Sequence, residues 1–521
     1  MKKHSRTAYS MMNMGVGFAG YFLNTVTGFV CRMVFVRCLP AEYLGINGLF
    51  SNILSMLSLA ELGIGTAIVF ALYKPIAEDD EDKIASLMKF YGAAYRIIGL
   101  IVAAVGLALL PFLSFIIGDT PQIKENIYVI YIVYLFNTVL TYFFSYRASL
   151  LVAAQRNYVQ LGISYIVTTI QSIVQIVALL LFKDYMIYLA IQTIGTFAFN
   201  IIVSWKASHD YPYIKGKNIQ PLEKVEKKSL FKNVKALTVS KVSELLVYGT
   251  DNIIITYFQG LVVVGAASNY TLLSGIVSTL TNQIFNSLVA SVGNLNAIES
   301  KEKQYKFFRV LQLANFIIFS WAAIGIWFVS SDLVELFFGA SFVLDDSIPF
   351  VLALNFYIVT MQTAANTYRT TMGLFKYGQY ILIFTAGINL GLSIWLGQIW
   401  GLFGIYIATA IARILTNSWY IPYAVFKHGL NRKPSEYFIQ YMKYLVVAAG
   451  AAGVCWLICH YMHFHIVLNV VLKLLLCTIV PLGLSWICFG RQEEYKYLLN
   501  KAKGFGVNTL GKLKRKKPDE N

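Results

Sequence analysis

Apolar stretches long enough to cross a bilayer recur along the whole chain, and this constrains the fold more than any other feature. A helix crossing the ~30 Å hydrocarbon layer at ~1.5 Å per residue needs about 20 apolar residues. Such runs read at 10–36, 44–73, 87–117, 126–152, 158–182 and 185–205, then at 236–258, 262–292, 307–330, 346–372, 377–399, 402–426, 438–461 and 466–488. They predict an all-α polytopic membrane protein with about fourteen transmembrane helices. Hydrophobic residues make up 57% and charged residues 13%, about half the roughly 25% of a soluble protein. Mean hydropathy is +0.61. These values exclude a disordered chain, a coiled coil, a collagen-like fibre and almost any soluble enzyme.

The net charge of +17 would suggest nucleic acid in a soluble chain. Here the basic residues lie between apolar runs, where they orient a protein against anionic lipid. With the N-terminus inside, the connectors after even-numbered spans are cytoplasmic and carry the Lys and Arg, among them Arg147, Arg156, Lys206, Lys227, Lys301, Arg309 and Arg432. Connectors after odd-numbered spans are poor in both; the one after span nine holds Asp332, Glu335, Asp345 and Asp346 and no basic residue. Both termini are therefore expected to be cytoplasmic. The basic start, Met1 to Thr7, leads into a full-length span and reads as an uncleaved first helix.

The Lys-rich connector 206–235 reads as a seam. It divides an N-terminal lobe, 1–205, from a C-terminal lobe, 236–427, each of six spans. Two further spans occupy 428–490, and 491–521 is a basic tail. Weak internal similarity supports the halves. Gly45 opens span two and Gly265 opens span eight; Tyr146-Arg147 ends span four and Tyr368-Arg369 ends span ten.

A polar side chain at membrane depth is costly, so it should face the bundle interior or a water-filled cavity. In span seven, Lys241, Glu244, Tyr248 and Asp251 lie within about an 80° arc at 100° per residue. In span ten, Asn355, Gln362, Asn366 and Arg369 share a face, and in span five so do Ser164, Thr168, Gln171 and Gln175. Glu61 and Arg413 fall near mid-depth. Each has a structural alternative. Amide stripes glue helices; Lys241 and Arg96 can snorkel; Arg32 and Arg37 can anchor the outer interface; topology alone can place Arg147 and Arg369. As a set they have both signs. Arg413, Lys241, Arg369, Arg32, Arg96, Gln362 and Asn366 are candidates to hold an anionic substrate headgroup, and Glu61, Asp251 and Glu244 to bind or exchange a small cation.

Catalytic and metal signatures are weak. Gly506 to Leu513 nearly spells a phosphate loop but lacks the Ser/Thr and the preceding strand. His460, His463 and His465 cluster at a turn with no carboxylate or thiolate placed to complete a metal site. Of six cysteines, Cys455 and Cys459 are four apart on one helix face, and all read as free apolar residues. No outer connector is long enough to house a catalytic domain, so no enzyme and no metal or other cofactor is expected.

The stretch Ala41-Glu-Tyr-Leu-Gly-Ile-Asn-Gly-Leu-Phe-Ser, followed by Leu57-Ser-Leu-Ala-Glu-Leu-Gly-Ile-Gly65, resembles the second-helix signature of bacterial polysaccharide repeat-unit flippases. So does Asp251-Asn-Ile-Ile-Ile-Thr-Tyr-Phe, followed by Val264-Gly and Ser268-Asn-Tyr-Thr271. These proteins are the Wzx-type, polysaccharide-transporter branch of the multidrug/oligosaccharidyl-lipid/polysaccharide exporter superfamily. The resemblance implies two six-helix lobes in a V around a central cavity, plus two extra C-terminal helices, in the bacterial cytoplasmic membrane. It implies transfer of an undecaprenyl-pyrophosphate-linked oligosaccharide from inner to outer leaflet by alternating access, with H⁺ or Na⁺ coupling by analogy. Expected partners are anionic lipid, a polysaccharide polymerase and glycosyltransferases. The rivals are a lipid II flippase or drug/cation antiporter of the same superfamily, a membrane polymerase or ligase, and a structural scaffold.

Overall fold

A computed structural model describes residues 6–58, 64–117, 121–216, 219–223, 250–374, 377–378, 380–462 and 464–501. Among them there is no strand. The helices are α1 (Arg6–Cys38), α2 (Ala41–Leu57), α3 (Ile64–Ala77), α4 (Glu81–Ala108), α5 (Leu113–Ile117), α6 (Ile127–Phe144), α7 (Ala148–Ala153), α8 (Asn157–Phe182) and α9 (Tyr185–Asp210). Then follow α10 (Asp251–Ile298), α11 (Lys301–Phe338), α12 (Ser347–Thr360), α13 (Thr363–Thr371), α14 (Ile381–Leu415), α15 (Asn417–Ala424), α16 (Pro434–His460) and α17 (Ile466–Phe489).

Ten segments among the described residues are long and apolar enough to cross a membrane. The protein is an all-α, multi-pass membrane protein, as the apolar runs predict. One of those segments, Ile381–Leu430, covers two predicted spans. They part at Gly401, whose φ of +57° and ψ of −133° no helix contains. α10 turns in the same way at Gly260, with φ +82° and ψ +170°, a region open essentially to glycine alone. Both glycines fall between the predicted spans, at 259–261 and 400–401. Leu39-Pro40 separates α1 from α2, and Lys183 in the left-handed region separates α8 from α9. Asp184 then caps α9 by accepting from the Ile187 N–H at 2.9 Å.

Span nine is longer than predicted. α11 runs 38 residues, about 57 Å at 1.5 Å per residue, so it overshoots the bilayer core. Asp332 and Glu335 do not end it; Gly339, at φ +102°, does. Those two acids, expected in a connector, are helical. Asp345 remains in the connector, where the Ser347 hydroxyl and backbone N–H hold its carboxyl below the usual carboxylate range.

The chain divides into two compact units, Met1–Ser268 and Asn269–Asn521. In the first, Phe35, Phe50, Tyr131, Tyr134 and Tyr185 are buried together, with Phe50 edge-on to Tyr131 and Tyr134. In the second, α11 is the central post. Phe308 meets Tyr368 and Phe426, while Phe316 stacks on Tyr444 and touches Phe489.

Candidate functional site

Within the first unit, α2 and the residues after Gly260 touch through their backbones. A Cβ on Gly45 would lie 2.0 Å from the Leu261 carbonyl oxygen, and one on Gly265 would lie 2.9 Å from that of Ala41. Only glycine permits this approach. One turn on, the Arg32 guanidinium of α1 donates to Ser268 Oγ, which donates to the Gly265 carbonyl at 2.6 Å. Arg32 therefore holds a helix junction as well as carrying charge. Asp251 begins α10, nine residues before Gly260, so it lies about 14 Å from the turn at 1.5 Å per residue. Arg96 is exposed on α4.

The amide stripe of α8 is spent on packing. Thr168 Oγ1 donates to Asn24 Oδ1 of α1 at 2.7 Å, and Gln175 Nε2 donates to the Tyr188 carbonyl of α9 at 3.2 Å. Lys241, Glu244, Tyr248 and Glu61 lie outside the described residues.

Within the second unit, α12 and α13 run beside α14 and α15. Asn355 Nδ2 donates to the Tyr406 carbonyl at 2.8 Å, and Gln362 Nε2 donates to Ser418 Oγ at 2.9 Å. These two contacts set a parallel register that brings Gln362 between the levels of Arg413 and Ser418. Arg413 is only 6% exposed. It sits between Thr409, which donates to Asn389 Oδ1 at 3.0 Å, and Thr416, 2.7 Å from the Thr385 hydroxyl. Arg369 is half-buried, and its Nε has no hydrogen-bond partner among the described residues. Asn366 is exposed. The structure thus brings Gln362, Arg369 and Arg413 onto one polar seam, with Arg413 embedded rather than surface-lining.

Sequence reading missed Ser418, because a serine inside an apolar run carries no pattern of its own, and it took Ser268 only as part of a motif, not as the partner of Arg32. It also missed Lys473, whose Nζ pairs with Asp332 at 2.5 Å, both side chains being mostly buried. Its signal was present: a lone lysine in span fourteen needs a counter-charge.

This arrangement of broken, paired spans recurs in solved transporter structures. Among solved structures, the chain is similar to the lipid II flippase MurJ in an inward closed conformation, with a TM-score of 0.63 and 15% identity over 90% of this chain and 98% of that one. It is similar to an inward-facing multidrug resistance MATE family transporter, with a TM-score of 0.62 and 14% identity over 75% of this chain and 91% of the other. The Vibrio cholerae MATE transporter VcmN follows at 0.51 and 15% identity, over 82% of this chain and 99% of that one. No family model matches the sequence, and no curated relative matches it.

Proposed function

We propose that the protein is a flippase that moves an undecaprenyl-pyrophosphate-linked oligosaccharide repeat unit from the inner to the outer leaflet of a bacterial cytoplasmic membrane. The observation that carries this reading is the half-buried Arg369, whose Nε has no hydrogen-bond partner among the described residues, on a seam that also holds Gln362 and Arg413. A guanidinium in a low-dielectric setting suits a pyrophosphate better than a neutral or cationic drug. Arg32, Arg96, Lys241 and Asn366 would complete the headgroup-binding set. Unaided passage of sugar and pyrophosphate through hydrocarbon is prohibitive; a hydrated cavity exposed to each side in turn by rocking of the two halves removes that barrier. Glu61, Asp251 and Glu244 would take up and release H⁺ or Na⁺ as the halves rock, and no other cofactor enters. Both termini would be cytoplasmic, close to the glycosyltransferases that build the unit, and the polymerase would act on the exported product.

Deletion followed by analysis of lipid-linked sugars tests this reading. Finished repeat units should accumulate on undecaprenyl pyrophosphate at the inner face; single units exported and capped would instead mark a polymerase. A second reading, a lipid II flippase, is favoured by the end-to-end match to MurJ. Transport of each labelled lipid in reconstituted vesicles separates the two. Coupling is tested in the same vesicles: Glu61→Gln and Asp251→Asn should abolish the response to an imposed ion gradient, and an unchanged response in both would remove these residues from coupling.

A further inference from the structure

Cys455 and Cys459 share a face of α16, and the helix packed against that face brings a third cysteine to them. Contacts of α11 set the register. Asp332 pairs with Lys473 and Phe316 meets Phe489, so α17 runs antiparallel to α11; Phe316 also stacks on Tyr444 of α16. In this register Cys477 falls between the levels of Cys455 and Cys459, and its thiol makes side-chain contact with both. Cys455 and Cys477 are 0% and 1% exposed, walled by Ile324, Val329, Ala451 and Val470. Cys459 is half-buried and stands one residue before the end of α16. The charges within reach of it are the Lys473 ammonium and the Asp332 carboxylate paired with it.

The three thiols are graded. One is reachable from the helix end, beside the Lys473–Asp332 pair; one is buried directly behind it; one is buried beside that. A reactive thiol backed by a second is the arrangement that resolves a mixed disulfide.

We propose that Cys459 and Cys477 form a thiol–disulfide site that reacts with an external disulfide. The Cys459 thiolate attacks one sulfur of the disulfide RSSR, forming a mixed disulfide and expelling RS⁻. Cys477 then passes its proton to the RS⁻ already released and attacks the Cys459 sulfur, so that the Cys459–Cys477 bond forms and a second RS⁻ leaves. Two protein thiols are oxidised and one external disulfide is reduced to two thiols. Cys455 stays reduced. The bond ties α16 to α17 next to Trp456, which with Trp327, Phe350 and Tyr357 lines an apolar cavity of about 470 Å³ between α11, α12 and α16.

The test uses membranes holding the full chain and oxidised glutathione as the probe. After treatment the remaining thiols are capped and the protein is digested with trypsin. Cleavage after Lys473 separates the peptide carrying Cys455 and Cys459 from the one carrying Cys477 and Cys488. The expected product is a linked pair of these peptides, reversed by dithiothreitol, with fragment ions placing the bridge at Cys459–Cys477. Cys477→Ser should abolish the bridge and raise a stable glutathione adduct at Cys459 at least tenfold. Cys455→Ala should leave the bridge unchanged. Absence of the linked pair from the wild-type chain while the exposed Cys488 is glutathionylated overturns the proposal. So does a bridge at Cys455 or through Cys488.

Discussion

Tyr146-Arg147 and Tyr368-Arg369, the two dipeptides that close predicted spans four and ten, are spent differently. Arg147 donates Nη1 to Ser204 Oγ at 2.9 Å and Nε to the Tyr146 hydroxyl at 3.1 Å, and its guanidinium lies 5.4 Å from the Tyr146 ring centre. Tyr368 instead gives its hydroxyl to the Gln304 carbonyl of α11 at 2.9 Å, while its ring meets Phe308. Arg369 is left with Tyr420 alongside and Nε without a hydrogen bond among the described residues. The first dipeptide closes on itself and on α9. In the second, the tyrosine belongs to the core and the arginine's Nε is left without a hydrogen bond among the described residues. A repeated motif therefore need not repeat a role; its neighbours decide.

The largest expected effect tests how firmly the first half is pinned beside its Tyr-Arg pair. Asp210 takes Arg156 and Lys206 at 2.8 Å each, with the Arg156 and Asp210 side chains 9% and 5% exposed. Asp210→Ala leaves a buried guanidinium unpaired and should cost about 3 kcal/mol, read as a lowered unfolding midpoint in detergent. Next comes the contrast itself. Arg369→Ala should cut transport about tenfold, equivalent to about 1.4 kcal/mol, with the melting temperature unchanged. Arg147→Ala should lower the melting temperature while sparing more of the transport; equal transport loss from both would erase the distinction. A smaller effect separates the tyrosines. Tyr368→Phe removes a buried hydroxyl-to-carbonyl hydrogen bond and should destabilise by about 1 kcal/mol, and Tyr146→Phe by less, since Arg147 keeps Ser204.

The smallest effect lies at the turn between α11 and α12. The Asp345 carboxyl titrates below its ordinary value when folded, so its stabilising contribution is full above the unfolded pKa and is lost as pH falls below roughly 4. Its side chain is solvent-exposed, so the wild type should lose only slightly more than Asp345→Asn across that window in a thermal melt.

The sequence discloses most of the helical plan because hydrophobic length and turn chemistry are local. Leu39-Pro40 could be placed from residue type, and the breaks at Gly260 and Gly401 fall in the gaps between apolar runs. Three features could not be placed this way. The far end of α11 was hidden because Asp332 and Glu335 look like connector residues until Lys473 answers one of them. The thiol cluster was hidden because Cys477 joins Cys459 through helix register, not through spacing along the chain. Arg413 could be placed at mid-depth, but whether it faced a cavity or the Asn389–Thr409 pair depends on how α14 folds back at Gly401.

The Gly45 contact bears on how much change the first unit tolerates. Ala41 and Gly45 meet Leu261 and Gly265 with position 45 against 261 and 265 against 41, the pattern of two antiparallel segments in backbone contact. A methyl group added at position 45 would fall 2.0 Å from the Leu261 carbonyl oxygen, which is backbone and cannot swing aside as a side chain could. Any residue other than glycine there forces the two segments apart along the whole crossing.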